Sequence, residues 1–202
     1  MKDNGSPLQE EFLAVYTQYV KRDGAEKLLD FLRKSDYFTA PASARFHCSR
    51  REGLLEHSLN VYKRLLKLIK ADFGEKYREK FSDETIAICG LLHDVCKIDY
   101  YVEDFKNVKD KTTGKWEEQP FYRVEERLPY GHGEKSVYIV NGFMRLTRDE
   151  ALAINWHMGG FDDRAKANSM AISEAFNRCS LALYLHVADV MATFVDENSS
   201  LK

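Results

Sequence analysis

The chain contains no apolar run approaching the roughly 18 residues that a membrane span requires. Its opening residues, 1–7, are polar, so a cytoplasmic protein without a membrane partner is expected. It also lacks an excess of charge of either sign. Lys plus Arg is 30 and Asp plus Glu is 32, giving a formal charge of -2. No global basic field advertises nucleic-acid binding, and only a local patch could do that work. A disulfide framework is missing too: Cys48, Cys89, Cys96 and Cys179 lie far apart, mostly in apolar helical contexts, and read as reduced thiols. There is no internal repeat and no low-complexity segment. What remains is 202 residues with 44% hydrophobic and 31% charged side chains, the make-up of an ordinary globular domain with a real core.

Residues 1–7 read as a disordered lead-in. From Leu8 onward, Phe12, Val15, Tyr16, Tyr19 and Val20 recur at helical spacing until Gly24 breaks the pattern. Residues 25–34 predict a second short helix, and residues 35–43, with Pro41, a loop. A polar and basic stretch at 44–53 leads into a helix whose inner face carries Leu54, Val61, Leu65 and Leu68. His57 lies on that face. Residues 71–81 are charged and suggest a solvated turn with a fragment of helix. Ser82 can cap the next helix, with Asp83 and Glu84 in its first turn. That helix, Ile86 to Leu92, is apolar all round and therefore central. In residues 100–129 aromatic and β-branched residues alternate with charges around Asp110-Lys111-Thr112-Thr113-Gly114. This predicts a β-hairpin with strands near 105–108 and 116–124, either a lid or a plain surface hairpin.

The residues that could carry chemistry fall at the ends of these elements. His93-Asp94 closes the apolar helix, where the backbone is free to bend both side chains toward one ion. Imidazole and carboxylate suit borderline and hard divalent metals, and one aspartate can bridge two ions. The pair could instead be a surface cap. An ionisable pair delivered from the protein's middle, however, is costly unless paired or metal-bound. His57 taken alone reads as a core histidine bonded to a carbonyl, and becomes a ligand only if partners converge on it. His132 stands between Gly131 and Gly133 at the start of a helical stretch, 134–144, or is an exposed loop histidine. Thr147 and Glu150 spell a capping box for a helix that runs to Trp156-His157 and ends at Gly159-Gly160. Residues 162–166 read as a polar link, followed by one long helix from about Asn168 to Val195. Asp189 shares that helix's inner face with Leu185, and a buried carboxylate there is rarely without a partner. His186 is either structural or a donor behind a site.

The order His57, His93-Asp94, His132, His157, Asp189 resembles the HD superfamily of metal-dependent phosphohydrolases over roughly residues 41–195. The stretches Gly53-Leu54-Leu55-Glu56-His57-Ser58, Leu91-Leu92-His93-Asp94-Val95-Cys96-Lys97, Tyr130-Gly131-His132 and Trp156-His157-Met158-Gly159 are most similar to HD domains of bacterial 3′-to-5′ exoribonucleases. The resemblance implies an all-α HD-domain bundle with a small β-hairpin insertion, residues 1–40 forming N-terminal helices packed on an HD domain at 41–198. It implies divalent metal as cofactor, two ions drawn from manganese, iron, cobalt, nickel or magnesium. His57, His93, Asp94 and Asp189 would hold one, and His132 and His157 the other, with Asp94 bridging. A metal-activated water would then attack a phosphate ester of a nucleotide, cyclic nucleotide or short oligonucleotide. Asp94 and Lys97 would be catalytic, and Lys97, His47, Arg50 and Arg51 would meet substrate phosphate.

Two departures stand out. Cys96 replaces a glycine common among relatives, a change that need only alter packing behind the site. Met158 replaces a histidine, and a thioether is a poor ligand for manganese or iron. No stretch resembling an OB-fold is present, which argues against an efficient processive nuclease. Two other readings share the ligand order. One is a di-iron oxygenase acting on a small organic substrate, and the other is a metal-stabilised binding module without catalysis.

Overall fold

The computed structural model describes residues 5–167 and 169–198. Helices α1 (Pro7–Tyr19) and α2 (Ala25–Lys34) precede α3 (Gly53–Phe73), α4 (Tyr77–Lys80) and α5 (Asp83–Leu92). The hairpin β1 (Tyr101–Lys109) and β2 (Trp116–Val124) follows. Helices α6 (His132–Asn141), α7 (Arg148–Trp156), α8 (Asp163–Ala167), α9 (Ser169–Arg178) and α10 (Ser180–Met191) complete the bundle. The fold is all-α with one small antiparallel hairpin, as expected. No single helix among the described residues is long and apolar enough to cross a membrane.

Helix α5 forms where Ser82 accepts the Thr85 N–H at 3.0 Å, and every residue from Ile86 to Leu92 is buried. It is packed by α1, α3 and α7. Its approach to α3 depends on Gly90, because a Cβ there would lie 2.5 Å from Tyr62 Cα. Gly133 plays the same part between α6 and α7, where a Cβ would meet the Asn155 carbonyl oxygen at 2.3 Å. These two contacts bring the carboxyl ends of α5 and α7 beside the α3 face that carries His57. Tyr37 fastens the arrangement by donating to the Leu91 carbonyl at 2.6 Å and sharing a 3.0 Å bond with Ser58. Phe12, Tyr16, Leu28 and Leu32 from the first two helices belong to the same core as Leu54, Ile88 and Leu185.

Several expectations are corrected. Of the lead-in, residues 1–4 lie outside the described residues, but Ser6 caps α1 and Pro7 opens it. Strand β1 starts at Tyr101, earlier than the apolar alternation suggested, and pairs Tyr101 with Val124 through Lys109 with Trp116. The polar link at 162–166 contains helix α8. The single long helix is broken: its expected start, Asn168, lies outside the described residues, and at Cys179 the backbone is extended (φ -140, ψ 95). The segments on either side meet at 112°. There the Cys179 thiol donates to the Asp149 carbonyl of α7 at 3.6 Å. Neither glycine nor proline stands at the bend, Arg178-Cys179-Ser180, so no breaker residue marks it in the sequence. After α10 comes a π turn, Ala192–Asp196, closed by the Glu197 N–H on the Ala192 carbonyl at 3.0 Å.

An ion pair on the buried Glu150 ties the α1–α2 loop to α5 and α7. Arg22 meets both oxygens of Glu150 at 2.7 and 2.9 Å, while the Thr147 N–H and the Thr85 hydroxyl complete the carboxylate at 2.8 and 2.9 Å. Burial opposes the charge, yet Arg22, Thr147 and Thr85 outweigh it and hold Glu150 below its ordinary value. Its stabilisation is therefore full above the unfolded value of about 4.3 and is lost as pH falls through the lower folded value. Glu150→Ala should cost about 1–3 kcal/mol at neutral pH by leaving Thr147 N–H and Thr85 without their acceptor and Arg22 with Glu84 alone, and the difference from wild type in thermal melts should shrink on acidification. A difference that stays constant down to pH about 3 would show that the carboxylate's charge contributes nothing.

Candidate metal centre

His93 and His157 occupy equivalent places. Each follows the last residue of its helix and donates its Nδ1–H back to a helical carbonyl, His93 to Gly90 at 2.9 Å and His157 to Ile154 at 2.7 Å. A carbonyl can only accept, so in the neutral ring each Nε2 atom carries a lone pair. His57, from the second turn of α3, donates its Nδ1–H to Glu197 Oε1 at 2.9 Å and turns its Nε2 inward as well. All three rings are buried.

Asp94 sits among them with its two oxygens facing different partners. Oδ2 lies 3.5 Å from both His57 Nε2 and His93 Nε2, and Oδ1 lies 2.8 Å from His132 Nε2 and 3.4 Å from His157 Nε2. Asp189 Oδ1, from α10, is 3.2 Å from His57 Nε2. All six residues expected as ligands thus converge. Three overlapping trios from this set, His57 with His93 and Asp94, His93 with His157 and Asp189, and Asp94 with His132 and His157, each hold donor atoms within 4.8 Å of one another. Two donors each about 2.1 Å from an ion stand about 3.0–3.4 Å apart at octahedral to tetrahedral angles, so the spacing fits.

The lone pairs supply an independent test. His57 Nε2 and His93 Nε2 are 3.3 Å apart, a repulsive contact unless positive charge lies between them. A proton can meet that need: burial works against it, but Asp189 and Glu197 raise His57 to about 10. His157 Nε2 is buried with no well-formed hydrogen bond, its nearest acceptor being Asp94 Oδ1 at 3.4 Å; burial opposes a proton there, but Asp94 raises the ring above its ordinary value. An unsatisfied buried acceptor costs about 1–3 kcal/mol, and a divalent cation relieves it. Burial lowers His93 to about 3, keeping the ring neutral as a metal ligand must be. Asp94 also feels burial, but Lys97 and the surrounding imidazoles hold it well below the usual carboxylate range. The residues therefore fit a divalent metal, whose number and identity the donor set leaves open.

The residues expected at substrate phosphate do not form one set. Lys97 is buried with Nζ 2.6 Å from Asp94 Oδ2. His47 turns onto Glu197 Oε2 at 2.7 Å, Arg50 pairs with Glu56, and Arg51 is exposed. Cys96 lies at the site itself, its Sγ 3.3 Å from His132 Nε2, and burial pushes its thiol well up. It shares a pocket of about 320 Å³ with His132, Met158, Lys135 and Arg164. His186 bonds the His157 carbonyl at 2.8 Å and so braces the turn that presents His157.

Glu197 went unrecognised in the sequence. Its carboxylate is fully buried between His47 and His57, and it reaches them only because the terminal π turn re-aims the chain. A ligating imidazole with a carboxylate behind it is a recurrent arrangement that fixes the ring and raises its basicity.

A buried His/Asp cluster in an all-helical bundle is the framework of a metal-dependent enzyme or a metal-stabilised domain. A family model of the HD domain matches residues 54–193, and the chain belongs to that family, whose members are typically metal-dependent phosphohydrolases. No curated protein and no solved structure gave a match.

Glu197→Gln, which removes the charge behind His57 while keeping an acceptor, should weaken manganese binding about tenfold or more in a calorimetric titration. Unchanged affinity would reduce Glu197 to packing.

Proposed function

We propose that the protein is a phosphohydrolase that cleaves a phosphate ester of a nucleotide or short oligonucleotide with a metal-activated water. The single observation that carries this is the division of labour at Asp94, whose oxygens face two different imidazole pairs. In this reading His57, His93, Asp94 and Asp189 hold one divalent ion, and His132, His157 and the other Asp94 oxygen hold a second, chosen from manganese, iron, cobalt, nickel or magnesium. When bound, such ions polarise phosphoryl oxygens and lower the pKa of a coordinated water.

The chain's own residues do the rest. Asp94 orients both halves of the cluster and, with Lys97 beside it, is the catalytic centre. Lys97 stays fully charged: burial alone would lower it, but Asp94 raises it above its ordinary value. A cation so close to the cluster suits the charge that develops on a phosphoryl group. The pocket on His132 receives the substrate, with Lys135 buried beneath Tyr100 and Arg164 lying over Trp156. A purely structural metal would require neither Lys97 nor a pocket opening on a ligand.

The test is hydrolysis of a generic phosphodiester and a generic phosphomonoester by metal-stripped protein, with manganese added back. Turnover should depend on the metal and fall about a hundredfold or more in Asp94→Ala, beyond what loss of an outer-sphere partner costs. His132→Ala should lose turnover while keeping the ion held by His57, His93 and Asp189. Metal-loaded protein that turns over neither ester would refute the hydrolase reading.

A further inference from the structure

The two faces of the hairpin are unlike. Side chains alternate along each strand and cross-strand partners share a face, so the register puts Glu103 with Tyr122 and Phe105 with Pro120 on one side. Asn107 with Glu118 and Lys109 with Trp116 continue that side to the tip, and Val124 lies at its base. On the other side Val102, Val108 and Phe121 are half-buried. On the first, Phe105, Trp116 and Val124 are 57%, 68% and 45% exposed. Val124, Tyr122, Pro120, Phe105 and Trp116 thus form an apolar stripe from base to tip. Exposed stripes of this kind mark interaction sites. The strands contact chiefly one another, and a two-stranded hairpin by itself is marginally stable in water.

At its base the stripe opens into a basic cleft of about 920 Å³ between the hairpin and the loop at 44–51, lined by Arg45, Arg51, Glu103, Tyr122 and Val124. Burial and Glu103 raise the Tyr122 phenol and Arg51 opposes them, so these three side chains stand together. The ion pairs of the hairpin join Arg123 to Asp104 and Glu125. They leave out Glu103, Lys109 and Glu118, and Arg51 forms no ion pair either among the described residues. Glu103 and Glu118 lie among the rings of the stripe. Two carboxylates there repel phosphate, which disfavours a nucleic acid or an anionic bilayer as the cover.

A second copy of the chain suits both the stripe and the charges. A two-fold axis crossing the strands at Phe105 and Pro120 lays one such face on another, β1 over β1 and β2 over β2 in opposite directions. Phe105 then meets the partner's Phe105, and Pro120 the partner's Pro120. Trp116 falls on the partner's Val124 at the mouth of the basic cleft. Glu118 falls on the partner's Tyr122, within reach of the partner's Arg51, and Lys109 comes within reach of the partner's Glu103. Because the contact is isologous, each of these pairings occurs twice. All the unpaired charges of the face are met by opposite ones. Packed sheets lie about 10 Å apart, a gap that facing rings fill. The face is roughly 30 Å long, and with the cleft wall it offers on the order of the 800 Å² per partner that a standard interface buries.

We propose that two copies of the chain pair through this face of the hairpin, with Phe105 and Pro120 on the axis and each Trp116 at the mouth of the other copy's cleft. The pairing is independent of the hydrolase reading, since none of these residues belongs to the His/Asp cluster.

Sedimentation equilibrium of the full-length protein from about 1 to 100 μM, the range of modest protein affinities, tests it. At the upper concentration wild type should have twice the 23.4 kDa mass of one chain. Phe105→Arg, which sets two like charges against each other on the axis, should raise the dissociation constant about tenfold or more. Glu118→Lys and Arg51→Glu should each raise it about tenfold, and the two changes in one chain should restore the dimer, a recovery that damage to the fold cannot produce. Should Phe105→Arg disturb the hairpin, Trp116→Ala at the exposed strand end must still weaken the dimer. A wild type that stays monomeric throughout, a dimer indifferent to Phe105→Arg and Trp116→Ala, or charge reversals whose losses add instead of cancelling would overturn the proposal.

Discussion

An ionised aspartate in a place that water hardly reaches sets the terms for the rest of this structure. Removing a carboxylate from water costs several kcal/mol even after relaxation, and Asp94 is buried. Its charge is supported on one side by Lys97 and on the others by a ring of imidazoles. Those imidazoles are themselves constrained, because helix-end carbonyls and Glu197 claim their Nδ1 protons. The interior is thereby left with lone pairs and carboxylates pointing at one another. Such a cluster calls for added positive charge, which a proton on His57 supplies in part and which a divalent cation would supply in full.

The backbone reflects the same demand. The donors come from α3, α5, α6, α7 and α10, which must approach more closely than side chains between them would permit. Gly90 and Gly133 remove the obstacle at two of these close approaches, α5 on α3 and α6 on α7. Tyr37, Ser58 and His186 then bond the carbonyls and hydroxyls that frame the ligands. The His/Asp cluster is enclosed. The basic cleft is the opposite, built from an exposed loop and a hairpin whose rings Phe105 and Trp116 are 57% and 68% exposed.

Much of the cluster was legible in the sequence because its ligands coincide with helix ends, and helix ends carry chemical signatures. Ser82, and Thr147 with Glu150, announce the starts of α5 and α7, so His93 and His157 could be placed at their far ends. His57 and Asp189 could be read from apolar spacing. Glu197 could not, since it lies past the expected end of the last helix and reaches His57 through a π turn that no periodicity encodes. The break at Cys179 was hidden because neither glycine nor proline marks it. The basic cleft joins residues 44–51 with residues 120–124, and nothing local in either segment specifies that they face each other. Cys96 looked like packing behind the site because its spacing to His132 is tertiary.

The central claim is that Asp94 serves two cation positions at once, and metal stoichiometry tests it most directly. Purified apoprotein titrated with manganese, with bound metal counted per chain, should saturate at two ions, and His132→Ala at one. Saturation of wild type at one ion or none would contradict the bridging role assigned to Asp94.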